Sequence, residues 1–105
     1  MAKLVWTDPA LQDIDEIAEY IALDNITAAR KLVQKIFSTV ERLEPQPNSG
    51  RRIPELKHSS YREVIVGPCR IFYKVISEKV YIIYVMRAER LLRQYLLEKR
   101  SSENI

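Results

Sequence analysis

The chain has 105 residues and a mass of 12.3 kDa, which is one compact domain able to bury roughly 65% of the surface its unfolded form exposes. An apolar share of 47%, a charged share of 30% and only 2 glycines exclude a disordered tail, a collagen-like repeat and a low-complexity linker. The net charge of +3 is unevenly spread: residues 1–49 carry 5 Lys/Arg against 8 Asp/Glu, residues 50–105 carry 12 against 6, so the second half suits an anionic partner.

In chain order, Lys3 to Thr7 is a short strand candidate ended by Asp8-Pro9. Asp8 is expected to cap the following helix, with Pro9 at its first position, where a missing N–H costs nothing. Leu11, Ile14, Ile17, Ala18 and Ile21 recur at helical spacing up to about Leu23. Asp24-Asn25 then separates a second helix whose buried side is Ala29, Leu32, Val33, Ile36, Val40 and Leu43. The short link makes an antiparallel helical hairpin.

Pro45 to Gly50 opens a loop, after which the period changes. Arg52 to Leu56, Tyr61 to Val66, Arg70 to Ile76 and Val80 to Met86 read as strands of a meander. Their turns are His58 to Ser60, Gly67-Pro68 and Ser77 to Lys79. Leu91, Leu92, Tyr95 and Leu96 mark one face of a last helix, which Arg87 begins, and residues 101–105 are expected to fray. The fold class is α+β: an N-terminal strand and helical hairpin packed on a twisted, mostly antiparallel sheet, with a short C-terminal helix, in a single domain over residues 1–100.

The longest apolar run, Val80 to Met86, is far too short to span a bilayer, and no secretory signal reads at the N-terminus. Cys69 is the single cysteine, which excludes an internal disulfide and fits a cytoplasmic chain. It is expected to be a packed thiol. One His and one Cys give no metal site, and no Gly-rich phosphate cradle exists, so no metal or cofactor is expected. His58 reads as an exposed loop residue.

The arginines carry the functional signal. Arg51, Arg52, Arg62, Arg70, Arg87 and Arg90 lie in or beside the predicted sheet, and a planar, always charged fork suits phosphate or carboxylate partners. The competing expectation is that Arg62 and Arg70 pair with Glu55, Glu63 or a helix carboxylate to close the core. Period-2 alternation places Arg62, Val64 and Val66 on one face, and Arg70, Phe72 and Lys74 on one face of the next strand. Tyr61, Tyr73, Tyr81 and Tyr84 fit half-buried strands or base stacking. Surplus apolar surface at Val64 to Val66 and on the Leu91, Leu92, Tyr95 face suits a groove for a partner segment.

A series of residues then carries a resemblance. It starts at Trp6-Thr7, Ala10, Asp13-Ile14, Ile17 and Tyr20-Ile21 and continues through Ala28 or Ala29, Ile36 and Leu43-x-x-x-Pro47. Gly50-Arg51, Glu55-Leu56, Tyr61-Arg62-Glu63, Val66 and Arg70-Ile71-x-Tyr73-x-Val75 follow, then Val80-x-Ile82, Val85 and Arg87-x-x-Arg90-Leu91. In this order they resemble the RelE/ParE superfamily of toxins from bacterial type II toxin–antitoxin modules, from Leu4 to Leu92.

The resemblance implies a growth-inhibiting toxin of the plasmid-stabilisation kind. A cognate antitoxin would neutralise it by folding a disordered segment over its surface, which Val64, Val66, Leu91, Leu92 and Tyr95 would receive. ParE-like members poison DNA gyrase; for that reading the target-binding residues are Arg51, Arg52, Arg87, Arg90 and Arg93. RelE-like members cut mRNA in the ribosomal A site; for that reading the catalytic candidates are Arg62, Arg70, Arg87, Glu63 and Tyr84. Val64 stands where RelE-like enzymes have a further basic residue, which leans toward the gyrase branch.

Overall fold

The structure is a computed structural model that describes residues 1–56 and 58–105. Its elements in chain order are β1 (Lys3–Trp6), α1 (Asp8–Ala22), α2 (Ile26–Glu41), β2 (Arg51–Arg52), β3 (Arg62–Val66), β4 (Cys69–Ile76), β5 (Lys79–Arg87) and α3 (Gln94–Asn104). The five strands form one sheet in the order β1-β5-β4-β3-β2. β1 runs parallel to β5, and the other pairs are antiparallel. No helix among the described residues is long and apolar enough to cross a membrane.

The helices begin where local chemistry allows. Thr7, not Asp8, is the N-cap of α1, and Asp8 becomes the first helical residue, where its charge favours the dipole. The Thr7 hydroxyl is used elsewhere: it donates to the Ile82 carbonyl oxygen at 2.7 Å and ties the start of α1 to β5. Asn25 separates the helices as expected, because its side chain accepts the Ala28 N–H at 3.0 Å and caps α2.

Both faces of the sheet are covered, which gives two apolar clusters. Val64, Val66, Ile71, Tyr73, Val80, Ile82 and Val85 face the hairpin and pack with Ala10, Ile14, Leu32, Ile36, Val40 and Leu43. Phe72, Ile83 and Met86 on the other face pack with Ile53, Leu56, Tyr61, Leu92 and Leu97. Alternation alone would send Ile83 to one side and Tyr84 to the other. A β-bulge breaks it: Phe72 pairs Tyr84 and Tyr73 pairs Ile82, which leaves Ile83 as the extra residue. Cys69 is fully buried in the first cluster, and burial pushes its thiol pKa up.

Four further expectations are corrected. The strand over Arg52–Leu56 shrinks to Arg51–Arg52, because Pro54 has no N–H for a ladder; Ile53 and Leu56 still bury their side chains from turns. Arg87 ends β5 rather than starting a helix, and α3 begins only at Gln94. Its buried side is Leu97 and Ser101 with Leu92 ahead of it, so Leu91 and Tyr95 are exposed and residues 101–104 are helical rather than frayed.

Gly50 sits where three parts of the fold meet. Its N–H donates to the Tyr73 hydroxyl at 2.9 Å, and its carbonyl accepts from Arg62 Nη1 at 2.9 Å. A Cβ there would lie 2.5 Å from the Tyr73 hydroxyl oxygen and 2.8 Å from the Glu63 carbonyl oxygen, so only glycine fits. Gly50→Ala should therefore destabilise the fold by about 1–3 kcal/mol, read as a lower urea midpoint at unchanged slope.

Candidate functional site

The face of the sheet away from the hairpin carries a chain of ionic contacts. Pairing register places Glu63 opposite Phe72 and Arg70 opposite Ile65, so all four side chains point to this face. Arg70 Nε donates to Glu63 Oε1 at 2.7 Å, and Arg70 Nη1 and Nη2 both reach the Glu55 carboxylate at 2.7 Å. Arg51 Nε, one strand over, donates to Glu63 Oε2 at 2.8 Å. The expectation that Arg62 and Arg70 pair with Glu55, Glu63 or a helix carboxylate is met for Arg70 and not for Arg62.

Burial decides what these residues can do. Glu63 is fully buried and Arg70 only 8% exposed, so each charge depends on its partners. Hydrogen bonding to Arg70 holds the Glu55 carboxyl below its ordinary value, and the same bonds hold Arg70 further above its own. Arg70 Cζ also lies 5.0 Å from the centre of the Phe72 ring. Arg62 belongs to the opposite side: it pairs Tyr73, shares parity with Val64 and Val66, and is spent on the Gly50 carbonyl.

A second group forms at the free end of β5. β1 stops after the Trp6–Ile82 pair, so beyond it β5 pairs with β4 on one side and has no neighbouring strand on the other. Side chains take that place. Asp13 of α1 accepts the Val85 N–H at 2.9 Å and is clasped by both terminal nitrogens of Arg100. Arg100 also donates to the Ile83 carbonyl at 3.2 Å and lies over the Tyr84 ring at 3.8 Å. Beside this clasp is a cleft of about 390 Å³ lined by Asp13, Tyr20, Tyr84, Arg87 and Arg90. Arg87 lies 4.6 Å over the Tyr20 ring and pairs with Glu89 at 2.6 Å.

The ribonuclease candidates are thus divided. Glu63 and Arg70 are together but covered, Arg62 is on the other face, and Tyr84 lies under Arg100. Arg62 pairs Tyr73 while Arg87 pairs Cys69, which separates them by about 13 Å along β4. The target-binding candidates also split. Arg51 and Arg52 lie on β2, three strands or about 14 Å from β5, where Arg87 ends the strand. Arg90 and Arg93 are exposed and have no ion-pair partner among the described residues.

Of the apolar candidates, Val64 and Val66 are 2% and 1% exposed under the hairpin, so they form no receiving surface. Ile65, of opposite parity, is 46% exposed. Leu92 is buried, whereas Leu91 and Tyr95 are open at 72% and 63%. Asp13 stood only in the resemblance series and Arg100 was not singled out, and a contact across 87 residues leaves no local signal. His58 is exposed as expected, and no group of three His, Cys, Asp or Glu among the described residues could hold a metal ion.

Two outcomes follow. Arg70→Ala should cost about 3–5 kcal/mol by removing the donor to Oε1 of buried Glu63, seen as a large fall in the denaturation midpoint. The lowered Glu55 pKa favours folding above its ordinary value of 4.5, and that contribution is lost as pH falls through the lower folded value. Stability measured from pH 6 downward should therefore decline in acid, and less steeply in Glu55→Gln than in the parent chain.

Comparison with known proteins gives a consistent answer. The family described as "ParE toxin of type II toxin-antitoxin system, parDE" matches residues 4–92. "Toxin RelE2" of Caulobacter vibrioides is 34% identical over 92 residues, covering 87% of this chain and 100% of that protein. "Putative toxin Y4kP" of Sinorhizobium fredii is 38% identical over 98 residues, covering 90% and 96%. Among solved structures, a chain of the chromosomal ParDE TA system from P. aeruginosa superposes with a TM-score of 0.68 at 27% identity, covering 85% of this chain and 98% of that one. The arrangement of hairpin, sheet and C-terminal helix and these matches together place the chain in the ParE toxin family of type II toxin–antitoxin systems, within the RelE/ParE superfamily.

Proposed function

We propose that this toxin acts in the cytoplasm by binding DNA gyrase and blocking replication, without cleaving RNA, and that a cognate antitoxin neutralises it. The observation that carries this reading is the pairing and burial of Arg70 and Glu63, with Arg62 on the opposite face. RNA cleavage by attack of a 2′-hydroxyl needs a base, an acid and a cation around one phosphate. Arg70 and Glu63 hold each other instead, and Arg62 holds the Gly50 carbonyl.

The contact with the target is assigned to the strip from Arg90 to Tyr95, where two exposed arginines flank Leu91. Rim charges of this kind steer an acidic partner and set register. The antitoxin is assigned to the apolar side chains left open on the same side, Ile65, Leu91 and Tyr95, with the basic second half attracting an acidic segment. The second reading, a ribosome-dependent mRNA interferase, is supported by the relative named RelE2 and by the cleft in which Arg87 lies over Tyr20 beside Tyr84.

Supercoiling of relaxed plasmid by gyrase separates the two. Inhibition, with cleaved DNA accumulating, is expected at low molar excess of toxin. The double change Arg90→Glu, Arg93→Glu should raise the concentration needed by roughly 10-fold while leaving the fold intact. Unimpaired supercoiling at high excess would overturn the gyrase reading.

A further inference from the structure

The apolar cluster on the face of the sheet away from the hairpin gives out toward the β4–β5 turn. Ile76 is 37% exposed there and Tyr81 is half-buried. Val75 and Val80 pack toward the hairpin, so their neighbours Lys74, Ile76, Lys79 and Tyr81 point away from it. Lys3 and Val5 pair Lys79 and Tyr81 and share that side, because Leu4 and Trp6 pack toward the hairpin. Three adjacent strands thus bring Lys3, Lys79 and Lys74 to one surface.

Their spacing is close. Lys3 and Lys79 are direct partners on strands about 4.8 Å apart, and Lys74 is the diagonal neighbour of Lys79 at about 8 Å. None of the three has an ion-pair partner among the described residues. Like charges opposite one another on neighbouring strands repel, and no carboxylate offsets that here. A shallow hollow of about 590 Å³ opens beside them, lined by Ile76, Ser77, Glu78, Lys79 and Tyr81, with Glu78 the acid of that lining.

We infer that this end of the sheet binds the phosphate backbone of duplex DNA without reading its sequence. Duplex DNA presents one charge per about 1.7 Å of its axis, dense enough to meet all three lysines at once. Lysine is a mobile point charge suited to phosphate oxygens, and a tyrosine hydroxyl can join it. Unstacked bases would need open ring faces. Tyr61 is only 9% exposed, with Lys74 Nζ 5.2 Å from its ring centre, so the surface favours a duplex over a single strand. The inference rests on the gyrase reading for the source of the duplex, which is the DNA that gyrase holds. It adds a contact beyond the strip from Arg90 to Tyr95.

Fluorescence anisotropy of a labelled duplex, titrated with purified toxin and no gyrase over about 50 to 200 mM salt, tests it. The expected dissociation constant is about 1 to 100 µM, with log affinity falling against log salt at a slope near about −2.7 for three phosphates. Lys3→Gln, Lys74→Gln and Lys79→Gln should each make the slope shallower by about one, and the triple change should remove binding. The pair Lys31→Gln, Lys35→Gln on α2 should bind as the parent chain does. An unchanged melting temperature confirms the fold of each variant. No binding at low salt, binding that survives the triple change, preference for single-stranded RNA, or equal displacement by polyglutamate would overturn the inference. A toxin that inhibits gyrase but ignores the duplex overturns this inference alone. One that binds the duplex through these lysines yet spares supercoiling overturns the gyrase reading and leaves the surface assigned.

Discussion

A carboxylate with no access to water fixes much of this molecule. Glu63 is fully buried, and such a charge persists only when its oxygens are occupied by strong donors. Arg51 and Arg70 supply them from the two neighbouring strands, and Arg70 extends the chain to Glu55 in the loop beyond β2. One buried charge thus sets the register of three strands and ties an irregular segment across the far side of the sheet. It also explains why β2 needs only two residues.

The same economy governs the free end of β5. β1 is too short to cover it, and an uncovered edge offers unpaired backbone groups to any passing strand. Asp13 and Arg100 occupy Val85 N–H and Ile83 C=O, and in doing so they anchor α3 against the sheet. α3 carries no side-chain cap at its start and little amphipathic character, so this clasp and the burial of Leu97 hold it in place. Arginine in this chain is first a structural residue. What remains for recognition is the exposed set that no carboxylate has claimed.

The hairpin and the long strands were legible because their apolar periods, 3.6 and 2, survive in the structure with few interruptions. Asn25, Gly67 and Gly50 marked boundaries through their own backbone chemistry: Asn25 caps, Gly67 turns at a φ of +53°, and Gly50 admits Tyr73. The family resemblance was legible from residue order, and the matched family over residues 4–92 agrees with it. Other features were not legible. Ile53-Pro54-Glu55-Leu56 has the composition of a strand, but its apolar residues are buried from turns. The bulge at Phe72/Tyr73 is set by packing on both faces, and it inverts the parity on which any reading of β5 depends. Of the candidate site, the pairing of Arg70 was anticipated, whereas the separation of Arg62 from it required the register.

The central claim is that the arginines and glutamate of β3 and β4 hold the fold and do no chemistry on RNA. The most direct measurement is primer extension on a reporter mRNA in a cell-free translation reaction containing the folded toxin. The account predicts full-length transcript at every codon, with ribosomes running to completion. Codon-spaced cuts that depend on translating ribosomes, and that vanish in a folded Arg62→Ala variant, would contradict it.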